Sequence, residues 1–511
     1  MVDRRDFLRV SGQIAGSALM AGSPWQVRAA NVDPGPAYLS ATELIAHFRR
    51  GTLSPVDVLE AQIRRIEAHD AEVNCITVRH FEDARAAARE SAARYRRGAP
   101  RPLEGLTVAV KDEYAVNGWR TTMGATLLKD APPAEADGPV AERLRAAGAI
   151  FHIQTTVPEF YVWMTTATKL WGITRNPWNL AYTPGGSSGG SGAALAAGFT
   201  TLALGSDMGG SIRIPASQCG LYGFKPPFGR VPTSEVPYEA EGPMARTFDD
   251  LTLLTDAMVG PHPLIHSSLR PRLRYPARFE SVSGWKVAYD PMPRLTPLDP
   301  AVNAAMTKAI AALRRAGVSV ETVDVGFDAN DMETYLVGLM STSMGGMMSE
   351  AMKHPDQLMP YTRSVFERMQ GKAGPDALVR TEELLNEYQR RVQEAVFLKG
   401  YRALVMPTVG TPLIPAEHGL HPDTDTAKLG NERVTGLKFA MTWVWNLLGL
   451  YPVVSAPVGI GPGNLPMGMQ IVANTLDDLS AFQLAAAYSR VALPLYSGSA
   501  SAFPDFRNQP V

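Results

Sequence analysis

The sequence predicts an α/β fold in a single large domain, with a central, twisted, mixed β-sheet that is largely buried and flanked by helices on both faces. Two observations predict it. Short apolar runs of strand length alternate with stretches of helical apolar spacing along most of the 511 residues, the pattern of strands covered on both sides by helices. The composition, 45% hydrophobic and only 19% charged, supplies a large core and too little charge for disorder.

The elements follow in order. Residues 41 to 97 read as helices: in "SPVDVLEAQIRRIEAHD", Ser54 is the expected N-cap and Pro55 the first helical residue, and "FEDARAAARESAARYRRG" ends at Gly98. Buried strands are predicted at "LTVAV" before Lys111, "AIFHI" (149–153), "TLALG" (201–205), "WKVAY" (285–289), "ALVMP" (403–407) and "MQIVA" (469–473), with helical segments between most of them. Residues 261–280 have the composition of a surface loop. Residues 331–400 read as a helical insertion rich in methionine, among them Met340, Met344, Met347, Met348 and Met352. Methionines at helical spacing belong either to a core or to an adaptable cover over an apolar site, and both readings stay open.

At the N-terminus, Arg4 and Arg5 precede Phe7 and Leu8, a modest apolar run and the small-residue pattern "VRAA". This resembles a twin-arginine signal peptide over residues 1–29, removed on export, with the folded domain expected over 34–500; a basic N-terminal arm is the alternative. The apolar run is too short to span a bilayer, and no later segment reaches about 18 apolar residues, so stable membrane insertion is not expected and the mature protein is expected in the periplasm or secreted. A net charge of −1 offers no footprint for nucleic acid. Cys75 and Cys219 are too few for a disulfide framework, no Cys/His spacing would hold a metal, and both thiols read as small buried hydrophobes. A small-molecule partner remains the default.

The run "TPGGSSGGSG", Thr183–Gly192, has the composition of a flexible tether, yet no charged residue occurs from Asn176 through Ser206. A tether should be solvated; a charge-free segment dense in Ala, Leu and Phe is expected to be buried, with its glycines permitting close backbone approach. In "GSDMGGSIRIPASQCG", the backbone N–H groups of Met208, Gly209, Gly210 and Ser211 can converge into a nest for an oxyanion, with a serine hydroxyl beside it. A nucleophilic serine needs a proton acceptor. The nine histidines are scattered and only His152 lies near these motifs, whereas Lys111 closes an apolar strand. Holding a lysine neutral at pH 7 costs about 4.6 kcal/mol, so such a base requires an apolar or cation-crowded site; on Lys111 alone, an ordinary exposed charge at a strand end is the alternative.

Together "VAVKD" (108–112), "TRNPWNLAYTPGGSSGGSGAALAAG" (174–198), "GSDMGGSIRIPASQCGLYGFKP" (205–226), "GPMARTFDDL" (242–251) and the weaker "LPMGMQIV" (465–472) resemble the amidase signature family, in that family's order. The resemblance implies a Ser-cisSer-Lys triad with Lys111 as base, Ser187 as bridging serine after a cis Gly186–Ser187 peptide, and Ser211 as nucleophile. It implies hydrolysis of a carboxamide through a Ser211 acyl-enzyme, with Met208–Ser211 as oxyanion hole, Gly186, Ser188, Asp207 and Arg213 supporting the loops, and no metal or organic cofactor. Homodimers are common in the family, and the oligomeric state is left open. Tyr161, Trp163 and Met164 fall where relatives line the acyl pocket and suggest an apolar or aromatic acyl group, with ordinary core packing as the alternative; Arg213 as a substrate-binding residue is a further option. Thr156 and Pro227 depart from common members.

Three rivals remain at this level. Gly185–Gly189 satisfies the G-x-S-x-G pattern of an exported α/β-hydrolase-type serine esterase, although "NPWNLAYTP" makes a poor preceding strand. The amidase component of a glutamine-dependent amidotransferase carries the same signature. A non-catalytic periplasmic binding protein with the same fold is the third.

Overall fold

The computed structural model describes residues 35–496, apart from 234, 422–425, 430, 431 and 493. The proposed signal peptide, residues 1–29, and both boundaries of the 34–500 domain lie outside the described residues. The Ser54 cap is present: its hydroxyl accepts from Asp57 N at 3.2 Å while the Asp57 carboxylate accepts from Ser54 N at 2.8 Å, opening the helix Pro55–Val73. A second helix runs Phe81–Arg96, as its spacing predicts.

Eleven strands form the central sheet: β1 (Ile76–Arg79), β2 (Thr107–Lys111), β3 (Ile150–Thr155), β4 (Leu202–Asp207), β5 (Tyr222–Lys225), β6 (Ala240–Ala245), β7 (Lys286–Tyr289), β8 (Ser319–Thr322), β9 (Ala403–Pro407), β10 (Val453–Ile460) and β11 (Pro466–Ala473). Their order across the sheet is β1-β3-β2-β4-β6-β5-β10-β11-β9-β7-β8. The pairs β2/β3, β2/β4, β7/β9 and β7/β8 are parallel and the rest antiparallel, which makes the sheet mixed, as expected.

Alternation along the strands explains the double cover. On β2, Val108 and Val110 join one core cluster and Ala109 another; on β4, Leu202 and Leu204 join the first and Ala203 the second. The first cluster packs beneath helices Phe248–Met258, Pro300–Arg315 and Asp478–Val491, centred on Phe482 against Phe224, Phe248 and Tyr275. On the second face alanines keep the surface low, so the short helices Gly189–Ala196 and Arg213–Cys219 lie close to the strands.

The insertion is helical throughout its main segments: Met332–Leu339, a π-helical turn over Met340–Met344, Gly345–Ala351, Pro360–Met369 and Pro375–Ala395. Met340, Met344, Met348 and Met369 are buried in one core cluster, and Met340 and Met344, with the partly buried Met347, also line a cavity. Cys75 and Cys219 are buried and free. Among the described residues no helix is long and apolar enough to cross a membrane.

Lys225, at the end of β5 and paired with Val453 of β10, is buried with its Nζ donating to Pro226 O at 3.1 Å and Gly449 O at 3.3 Å. Burial, helped by the Arg213 guanidinium, pushes its pKa from 10.5 down to about 7. Between those values the unfolded chain binds the proton that the native state refuses, so the penalty is full below about pH 7 and fades as pH rises toward 10.5. Lys225→Met is therefore expected to gain stability relative to the parent at pH 6 and to lose that advantage by pH 10, as read from urea midpoints at the two pH values; a pH-independent difference would contradict it.

Candidate active site

Strands β2 and β4 are parallel neighbours, so their carboxyl ends emerge side by side, and a site at the carboxyl edge of such strands follows from the topology. Lys111 closes β2, and Ser206 and Asp207 close β4. The glycine-serine run crosses the same edge before entering the helix Gly189–Ala196. It is no tether: residues 183–207 are all buried. A methyl group on Gly190 would come within 2.5 Å of the Thr156 backbone, and one on Gly186 within 2.8 Å of Trp163 O. The Gly186–Ser187 peptide is cis, as the resemblance implies.

Lys111 is fully buried, and its Nζ hydrogen-bonds Ser187 Oγ at 2.9 Å and Ser206 Oγ at 2.6 Å. The expectation of an apolar or cation-crowded surrounding is not met. Glu113 Oε2 lies 2.7 Å from Nζ and also accepts from the Ser206 hydroxyl, and the Tyr161 ring lies under the same nitrogen at 4.8 Å. Glu113 reaches the site because the chain turns directly after β2, Glu113 N and Tyr114 N both donating to Lys111 O at 2.6 and 3.2 Å. Sequence reasoning missed Glu113 and Ser206. The signal was present only as proximity, two residues after Lys111 and one before Asp207, and it needs the β2/β4 pairing to become geometry. Nearby, burial together with Glu239 and Glu113 pushes the Glu241 carboxyl well above its ordinary range.

Ser187 and Ser211 line one cavity of about 310 Å³, with Gly186, Met208, Gly209, Tyr161, Trp163 and Met164 also in its walls. Ser211 is tied to the glycine-serine run through its carbonyl, which accepts from Ser188 N at 3.1 Å. Among the described residues no hydrogen bond joins Ser187 Oγ to Ser211 Oγ, and no histidine lines the cavity. The ring of His152 is buried elsewhere, its Nε2 against Phe199 O at 2.9 Å.

Asp207 and Arg213 form a fully buried bidentate pair, Nε to Oδ2 at 2.9 Å and Nη2 to Oδ1 at 2.8 Å. The remaining guanidinium donors reach Thr442 O (2.8 Å), Gln470 Oε1 (2.7 Å) and Asn446 Oδ1 (2.6 Å). Every nitrogen is thus engaged, which makes Arg213 a tie between loops and corrects the option that it binds substrate directly. Burial pushes the Asp207 carboxyl up, but Arg213 and the amide of Asn446 outweigh it and hold it down at about 2. The carboxylate also accepts from Gly210 N at 2.8 Å and Ile212 N at 3.2 Å. This narrows the expected four-donor nest, because Gly210 N–H is turned to Asp207 and is not offered to the cavity; Met208, Gly209 and Ser211 remain.

Tyr161, Trp163 and Met164 all line the cavity. Tyr161 O–H donates to Asp112 O at 3.0 Å, and Phe160 and Tyr161 take φ of 52° and 64°, a left-handed pair unusual for bulky side chains. Trp163 stacks on Tyr361 at 5.4 Å and donates to His418 O at 3.2 Å, while Met164 packs in a core cluster with Ile214.

Residues 57–481 match the model of the family described as Amidase. The chain belongs to that family. It is similar to the acylamidase of Rhodococcus erythropolis, 31% identical over 481 residues, covering 89% of this chain and 95% of that protein. It is equally similar to a glutamyl-tRNA(Gln) amidotransferase subunit of Synechococcus sp., 31% identical over 480 residues, covering 87% of this chain and 94% of that one. The crystal structure of a bacterial aryl acylamidase of the amidase signature family superposes with a TM-score of 0.80 at 26% identity, over 89% of this chain and 96% of that one. The fold is that of amidase signature structures, and this amidase is an amide hydrolase.

Arg213→Met leaves a buried carboxylate without its counter-charge and is expected to cost about 3–5 kcal/mol, read from chemical denaturation; a loss under about 1 kcal/mol would show that the pair does not hold the loop.

Proposed function

We propose that this enzyme hydrolyses the C–N bond of carboxamides bearing an apolar or aromatic acyl group, through a Lys111–Ser187–Ser211 relay and a Ser211 acyl-enzyme. The observation that carries the reading is the 2.9 Å contact of the buried Lys111 Nζ with Ser187 Oγ, on the floor of a cavity that also holds Ser211 and is walled by Trp163, Met164 and the methionines of the insertion. The Lys111 ammonium first passes a proton to the Glu113 carboxylate 2.7 Å away, the amine so formed takes the Ser187 proton, Ser187 takes that of Ser211, and Ser211 Oγ attacks the carbonyl carbon. The second link forms as substrate seats, since catalytic hydrogen bonds are commonly long in the free enzyme and tighten in the complex. The oxyanion is received by N–H groups of Met208, Gly209 and Ser211. The proton returns through Ser187 to the leaving nitrogen, releasing ammonia or an amine, and water then releases the acid from the Ser211 ester by the same path.

The reading extends to location. Residues 1–29 act as a twin-arginine leader, the domain spans 34–500, and the mature enzyme works in the periplasm or outside the cell.

Two tests follow. Against a panel of aryl, alkyl and amino-acid amides, Ser211→Ala and Lys111→Ala are expected to lose about a thousandfold or more in kcat, and a fluorophosphonate should label the parent on the Ser211 peptide; full activity in Ser211→Ala would overturn the assignment. Replacing Arg4 and Arg5 by lysine should leave the enzyme in the cytoplasmic fraction, whereas undiminished export would remove the leader reading.

A further inference from the structure

The oxyanion loop is held from outside by side chains that no sequence motif marks. The segment running through helix Met332–Leu339, the π-helical turn and the start of helix Gly345–Ala351 presents Met332, Leu336, Leu339, Met340, Met344 and Met347 to the cavity, a spacing that keeps one stripe toward one side over four turns. Tyr335 stands in the same stripe. Its ring is buried, stacked on Trp443 at 5.7 Å with an interplanar angle of 27° and edge-on to Tyr238 at 5.7 Å, and its hydroxyl donates to the carbonyl of Met208. Next along the loop, the Thr442 hydroxyl donates to the carbonyl of Gly209, and Ile214 N donates to that of Gly210 at 2.7 Å.

A trans peptide points its N–H opposite its C=O. Pinning the Met208 carbonyl toward Tyr335 therefore fixes the direction of Gly209 N–H, as pinning the Gly210 carbonyl fixes that of Ser211 N–H. We infer that Tyr335 is a positioning residue for the oxyanion donors, so that the methionine-lined wall which meets the acyl group also sets the geometry in which its carbonyl oxygen is received. The inference rests on the reading that the Met208–Ser211 loop holds the oxyanion. Burial, reinforced by the Asp207 carboxylate, pushes the Tyr335 phenol well above its ordinary range, so the group remains a donor over the whole pH span in which a hydrolase is assayed.

The insertion is thereby more than a cover. A Phe in place of Tyr335 keeps the ring, its stacking and the shape of the wall, and removes only the hydrogen bond to the loop. A donor that is free to turn away loses the preorganisation on which its effect depends.

The test uses the full-length mature enzyme, para-nitroanilides of acetic, butyric and octanoic acids, and a fluorophosphonate whose phosphoryl oxygen occupies the oxyanion position. Tyr335→Phe is expected to lower kcat about 10- to 100-fold on all three substrates with KM within about twofold, and to slow labelling in parallel. The rate of labelling is read independently of turnover, so the outcome does not hang on one measurement. A rise in KM with kcat retained would overturn the inference by making Tyr335 a wall residue only, as would parent-like turnover and labelling in Tyr335→Phe. Failure of the underlying reading looks different: Ser211→Ala would then keep its activity and the label would not map to Ser211.

Discussion

The buried pair between Asp207 and Arg213 is the constraint on which the site depends. Two unlike charges taken wholly out of water are retained only when every remaining donor and acceptor is satisfied, and here they are: Thr442 O, Gln470 Oε1 and Asn446 Oδ1 take the rest of the guanidinium, while Asn446 Nδ2 and three backbone N–H groups complete the carboxylate. The partners come from the loop after β4, from the segment around residues 442–446 and from β11. One ion pair thus sets the relative position of three stretches of chain far apart in sequence, and Ser211 sits inside the turn it closes.

Small residues do the complementary work on the other side of the site. The helix after Ser188 comes near enough to the end of β3 and to the helix Arg213–Cys219 for Gly190 to meet the Thr156 backbone and Gly192 that of Pro215, and the segment from residue 183 to 207 is buried without a single charge before Asp207. Rigidity here comes from the absence of side chains. Against that fixed floor stands a wall of unbranched thioethers, which adapt to the shape of what they meet.

Much of this was legible in the sequence, unevenly. The six predicted strands are all present because each is an apolar run of strand length buried on both faces. Five strands of the sheet escaped notice: β6 reads "AEGPMA" and β10 "VVSAPVGI", each with glycine and proline that argue against a strand, and β1, β5 and β8 have four residues each. At the site, motif order named Lys111, Ser187 and Ser211, and the structure brings the first two into contact. What could not be read were relations across the fold: Glu113 and Ser206 beside Lys111, the diversion of Gly210 N–H to Asp207, and Tyr335 reaching the Met208 carbonyl from an insertion more than a hundred residues away. Each depends on tertiary proximity that local pattern does not encode.

The strand order has a consequence for how the molecule comes into being. β10 and β11, drawn from residues 453–473, lie between β5 and β9, so the β1–β6 group and the β7–β9 group share no strand-to-strand bond except through them. A nascent polypeptide still emerging from the ribosome owns both flanks of its sheet before it owns the centre. Closure waits until residues 453–473 have been made, and until then two unfinished edges stand open, the situation in which assisted folding and swift completion matter most.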